Sequence, residues 1–210
     1  MLYRFIGSTG SGTSTTALDR IVNSKYDNAL YITNELQPKS VLKKLKAYEK
    51  NTQKVIVNDV TVKAIPYGET TDDALEILLN QAVENKKDCV LIDRLEGISC
   101  ADGECVVSPE TYYDDLCDRL ANFSKDNSID IIVVQSMNRP TINMAFDEVM
   151  EKFGEHDLPD NEEHILVYKS SLESGTPFVK IYERRNNLIR SFNITQYFEK
   201  NDDAKTTQET

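Results

Sequence analysis

The chain is 210 residues long, which suits one sizeable domain, and 40% of its residues are hydrophobic, enough for a core of that size. Its formal net charge of −11 makes the surface as a whole repel nucleic acid and anionic membrane, so any DNA contact needs a local basic patch. Four cysteines (Cys89, Cys100, Cys105, Cys117), no apolar export segment and no apolar run near the roughly 18 residues of a membrane span point to a reduced, cytoplasmic chain without membrane contact.

Leu2 to Ile6 reads as a strand, and Ser14 to Val22 as a helix with Ala17, Leu18, Ile21 and Val22 on one side. Between them runs Gly7-Ser8-Thr9-Gly10-Ser11-Gly12-Thr13-Ser14-Thr15, in which three glycines within six residues let successive N–H groups turn inward. The helix that follows adds its positive dipole end, so this stretch is built to cradle phosphate. Gly7 to Thr15 are therefore the candidate nucleotide-binding residues. The spacing Gly7-x4-Gly12-x-Ser14 fits the Walker A pattern with one departure, Thr13 in the place of the lysine, and no lysine occurs between Met1 and Asn23. Ser14 remains able to face Mg²⁺, but the cation that bridges the β- and γ-phosphates is missing, which favours binding over hydrolysis.

Ala29 to Thr33 is a second strand, closed by Asn34-Glu35-Leu36-Gln37-Pro38, with Pro38 at a helix start and Val41, Leu42, Leu45 and Tyr48 on the helix that follows. Lys54–Val57 and Val60–Ile65 around Asn58-Asp59 look like a hairpin, and Thr70 or Thr71 caps a helix carrying Ala74, Leu75, Leu78, Leu79, Ala82 and Val83. Cys89-Val90-Leu91-Ile92-Asp93 describes a buried parallel strand that delivers a carboxylate at its C-terminal end, where ligands of open α/β sheets collect. Asp93 is thus the candidate Walker B aspartate, sharing Mg²⁺ with Ser14. Leu95 to Val107 reads as a loop whose Cys100 and Cys105 lack zinc-site spacing and lie far from the two histidines. Ser108-Pro109 starts a helix in which Cys117 is a core thiol, and Ile129 to Val134 is a near-continuous apolar strand ending in Gln135-Ser136-Met137-Asn138-Arg139-Pro140. Ile142 to Phe153 is amphipathic, Glu155 to Glu163 an acidic loop, and 164–168, 178–182 and 188–194 are strands expected to be antiparallel. Residues 199–210 form a polar tail, expected to be disordered. Alternation of buried strands with amphipathic helices predicts an α/β fold: an open, mainly parallel sheet flanked by helices, with antiparallel strands at its C-terminal edge.

Several segments stand in a telling order: the glycine-rich loop, Asn28 to Leu36, Asp88 to Glu96, Asp130 to Arg139, and Tyr182-Glu183-Arg184-Arg185-Asn186. Together they resemble the RecA-like motor core, most closely the ATPase core of DnaB-type replicative helicases, over residues 1–198. The resemblance places Glu35, by similarity to the family's S-L-E-M segment, on the glutamate that activates the attacking water. It places Asp93 on the Walker B aspartate of I-D-Y-L-Q, and matches Asn138 and Arg139 to S-Q-L-N-R, whose glutamine position falls on Ser136 with Gln135 displaced by one. The last segment is similar to K-x-R-N-G, whose basic residues reach the neighbouring subunit's nucleotide; Glu183 stands at the first basic position and Arg185 keeps the second.

The resemblance implies ATP or ADP with Mg²⁺ as ligands, Glu35, Ser136 and Arg185 as catalytic residues, and partners that are further copies or related motor subunits. Thr13 argues for impaired or lost hydrolysis. An active ATPase would need a substitute cation such as Arg4, Arg139 or a neighbour's Arg185; an adaptor on the same fold would bind no nucleotide at all. Single-stranded DNA is expected to bind weakly at most, since Arg139, Lys169 and Arg184–Arg185–Arg190 are few cations against the overall charge.

Overall fold

The computed structural model describes residues 1–8, 10–24, 26–34, 36–54, 60–65, 71–98, 109–136, 145–154, 159–169 and 178–198. Strands β1 (Leu2–Gly7), β2 (Ala29–Thr33), β3 (Val60–Ala64), β4 (Cys89–Asp93), β5 (Asp130–Ser136), β6 (Glu162–Tyr168), β7 (Phe178–Glu183) and β8 (Leu188–Asn193) form one sheet in the order β3-β2-β4-β5-β1-β6-β7-β8. All pairings from β3 to β6 are parallel, and β7 and β8 close the sheet antiparallel. This is the α/β architecture expected from the alternation of apolar runs.

Helices α1 (Thr13–Asn23) and α2 (Pro38–Thr52) pack on one face, against Phe5, Tyr31, Leu91 and Val134. Helices α3 (Thr71–Glu84) and α4 (Pro109–Asn127) cover the other, against Leu2, Ile32, Ile92 and Val133. Helix α5 (Phe146–Gly154) lies by β6 and β7 through Val149, Leu166 and Tyr182. Both faces of the central strands are covered, which is why β2 and β4 are buried along their whole length and read as unbroken apolar runs. Pro38 sits at the first turn of α2, where its missing N–H has no partner to lose. Cys117 is a core thiol on α4, pushed up to about 12 by burial.

Strand β3 pairs parallel with β2; the other arm of the expected hairpin, Val55–Val57, and its Asn58-Asp59 turn lie outside the described residues. Two expectations change. Strand β6 pairs parallel with β1, so the antiparallel edge begins one strand later than the three C-terminal runs suggested. Glu162 and Glu163 belong to β6 instead of an acidic loop. They are buried because Arg4 and His164 face Glu162 and Arg185 faces Glu163, so partners offset their desolvation. The Cys100–Cys105 loop, Asn138–Arg139 and the 199–210 tail lie outside the described residues.

Candidate functional site

Parallel pairing puts the C-terminal ends of β2, β4, β5 and β1 along one sheet edge. Thr33 is level with Asp93, Asp93 with Val134 and Val134 with Phe5, while Gly7 and its partner Ser136 project one pleat further. Side chains alternate between faces, so Asp93, Val134, Phe5, Ser136 and Gly7 all turn toward α1, whereas Arg4 and Gln135 turn toward α4.

The loop grows out of β1 on the α1 face. Gly10 and Gly12 have φ of 81° and 88°, a left-handed conformation that a residue with Cβ resists, and Gly12 stands directly before the first turn of α1. Ser11 N–H donates to Ser8 O at 3.0 Å, and the Ser11 and Thr13 hydroxyls meet at 2.7 Å over Gly7. A Cβ at Gly7 would lie 2.4 Å from Thr13 Oγ1 and 2.7 Å from Ser11 Oγ, so the turn closes only on glycine. Thr13, at the position where the Walker A pattern has lysine, directs a short buried hydroxyl back at the loop's own start.

Ser14, on the first turn of α1, donates its hydroxyl to Asp93 Oδ1 at 2.9 Å, and Tyr31 OH donates to Oδ2. Asp93 is fully buried, and its hydrogen-bond partners among the described residues are these two hydroxyls. The two hydroxyls satisfy the carboxylate by hydrogen bonds but bring no formal positive charge, which a divalent cation would supply. The donor set, one carboxylate and one hydroxyl, is hard oxygen of the kind Mg²⁺ takes. Mg²⁺ thus fits at Ser14 and Asp93.

No protein-family model matches the chain, and no curated protein does either.

The other predicted residues divide. Ser136 comes to this edge as the register partner of Gly7: Ser136 faces the loop, while Gln135 accepts from Arg4 at 2.9 Å on the opposite face. Thr9 and Glu35 lie outside the described residues. On either side of Glu35, Asn34 N–H donates to Asp93 O at 2.9 Å and the Thr33 hydroxyl bonds both Leu36 N–H and Leu36 O. Arg185 is not brought to the site of its own chain. It sits in the β7–β8 turn at the far end of the sheet, its guanidinium donating to the carbonyls of Pro159 and Glu162 beside Glu163. Arg4 is committed on the α4 face to Gln135, Asp114 and Glu162.

Sequence reasoning passed over Tyr31, Asn34, Arg94 and Glu96. Asn34 clamps the backbone of Arg94, accepting from its N–H at 2.9 Å and donating to its C=O, across a cis Asp93–Arg94 peptide. Arg94 donates to Ser136 Oγ at 3.1 Å, and Glu96 accepts from Ser136 N–H. Burial pushes the Glu96 carboxyl above its ordinary range despite the Ser136 bond and the nearby Arg94 charge, and its Oε2 has no hydrogen-bond partner among the described residues. The available signal was position: Asn34 and Arg94 each directly follow the last residue of a buried parallel strand.

Proposed function

We propose that the chain is a nucleotide-binding protein of RecA/DnaB-like type, taking ATP or ADP with Mg²⁺ and hydrolysing ATP poorly or not at all. The observation that carries this reading is the 2.9 Å hydrogen bond from Ser14 to Asp93, residues 79 positions apart that the motif order alone assigns to one cation. The loop's backbone donors and the α1 dipole hold the phosphates. Mg²⁺ on Ser14 and Asp93 would neutralise charge on the phosphate oxygens. Thr13 supplies no charge, and its hydroxyl is occupied by Ser11, so stabilisation of a transferring phosphoryl group is weaker than a lysine gives.

Calorimetry with ATP and ADP, with and without Mg²⁺, tests this. Binding should be weak and Mg²⁺-dependent, and Ser14→Ala should remove most of the Mg²⁺ dependence. Absence of binding at millimolar nucleotide would leave the fold intact and sink the function.

Self-association, or association with related motor subunits, is part of the proposal, and single-stranded DNA is proposed to bind weakly at most. Supporting the latter, Arg185 is engaged with Glu163 and Arg190 with Glu183 at 2.8 Å, which leaves less free cation for a phosphate backbone. Anisotropy of a labelled oligonucleotide near ~0.15 M salt should give no submicromolar binding.

A further inference from the structure

We propose that Arg94 supplies the positive charge that the loop lacks at Thr13, its guanidinium reaching the terminal phosphate of a bound nucleoside triphosphate. This rests on the reading of the loop as a nucleotide site and adds the residue that distinguishes triphosphate from diphosphate.

Arg94 leaves the end of β4 and its Nη1 reaches Ser136 Oγ on β5, the strand lying between β4 and β1. Ser136 is the register partner of Gly7, so the residue that Arg94 bonds stands one strand spacing, roughly 5 Å, from the first residue of the loop. Ser136 turns to the α1 face together with Gly7 and Asp93. The sheet edge thus presents Asp93, the Ser136 that holds the guanidinium, and the glycine-rich loop side by side.

The backbone of this arginine is also firmly held. Asn34 closes a two-point clamp on its backbone, and Gly97 is what lets the clamp fit, since a Cβ there would lie 2.2 Å from the Asn34 amide. The same segment is tied to β5 by the Glu96 bond to Ser136 N–H and to α4 by Tyr113 OH donating to Glu96 O at 3.1 Å. An anchored guanidinium loses little freedom when it takes a phosphate, and its planar fork offers paired donors that a single ammonium does not.

Other cations are placed differently. Arg4 is bound on the α4 face. Lys44 of α2 donates to Thr15 Oγ1 at 3.3 Å, on the first turn of α1.

The test measures ATP and ADP affinity by calorimetry, with Mg²⁺, for wild type, Arg94→Ala, Arg94→Gln, Arg94→Lys and Lys44→Ala, with a thermal melt of each. Arg94→Gln retains a donor for Ser136 and serves if Arg94→Ala does not fold. Removing the charge should weaken ATP roughly 10- to 100-fold, as for loss of a charge-assisted hydrogen bond, and ADP far less, so the ATP/ADP preference collapses. Arg94→Lys should recover part of the loss, and Thr13→Lys in the Arg94→Gln background should restore ATP affinity. Equal losses for ATP and ADP, no loss, or a collapse of preference in Lys44→Ala alone would overturn the assignment to Arg94 and leave the loop reading standing. Wild-type protein that binds neither nucleotide would overturn both.

Discussion

The two ends of the parallel sheet treat buried charge in opposite ways. At the N-terminal end, Glu162 and Glu163 are buried yet matched, Glu162 by Arg4 and His164 and Glu163 by Arg185. At the C-terminal end, Asp93 is fully buried against two neutral hydroxyls, with Arg94 held by Ser136 along the same edge. Charge that is neutralised within the chain contributes to folding; a buried carboxylate held by neutral hydroxyls keeps more of its desolvation cost. The same residue type is therefore ion-paired at one end and hydrogen-bonded to hydroxyls at the other, and under the proposed function the second end is the one that meets the ligand.

The contrast can be broken most strongly at the matched end. Arg4→Met leaves Glu162 buried beside His164 alone and should cost about 3–5 kcal/mol in chemical denaturation. A loss below about 1 kcal/mol would place this cluster among exposed pairs. Next is Gly7→Ala, whose Cβ meets Thr13 Oγ1, Val167 O and Ser11 Oγ between 2.4 and 2.7 Å. It should cost roughly 1–3 kcal/mol as overpacking and weaken nucleotide binding as well, since the loop must open to admit the methyl.

Acidity should separate the ends by sign. Burial raises the Glu162 carboxyl, but the His164 hydrogen bond and the Arg4 charge outweigh it and leave the group below its ordinary value of 4.5. Its contribution is present at neutral pH and is lost as pH falls below that value, so Glu162→Gln should flatten the acid limb of the stability profile. Glu96 lies above its ordinary value of 4.5, chiefly through burial. Its contribution is full below that value and is lost as pH rises through the raised one, so Glu96→Gln should flatten the limb toward neutrality. Denaturant midpoints from about pH 2.5 to about pH 7 check both, and a shared sign would remove the distinction.

The smallest stability change is expected for Asp93→Asn, within about 1 kcal/mol of wild type, because the amide still meets the Ser14 and Tyr31 hydroxyls while the buried charge disappears. The discriminating readout is the Mg²⁺ dependence of nucleotide binding, which this substitution should remove.

Periodicity and composition were enough for the architecture. The runs at Leu30–Thr33, Val90–Asp93 and Ile131–Val134 are covered on both faces and so could be nothing but central parallel strands, and Gly7-x4-Gly12-x-Ser14 marked the loop because backbone geometry there depends on glycine itself. Asp93 was legible for the same reason, a carboxylate ending an apolar strand. What the linear pattern could not carry was facing and pairing between distant segments. Gln135 and Ser136 are neighbours in sequence, and only the pleat decides that Ser136 turns to the loop while Gln135 turns to Arg4. Glu162 and Glu163 read as solvated until strand pairing set them beside Arg4 and Arg185. Arg94 looked like one more polar residue after a strand, and it took the Asn34 clamp, 60 positions away, and the space left by Gly97 to aim it along the edge. Local preferences are written residue by residue, whereas the partner of a buried charge is set by which strands the whole chain brings together.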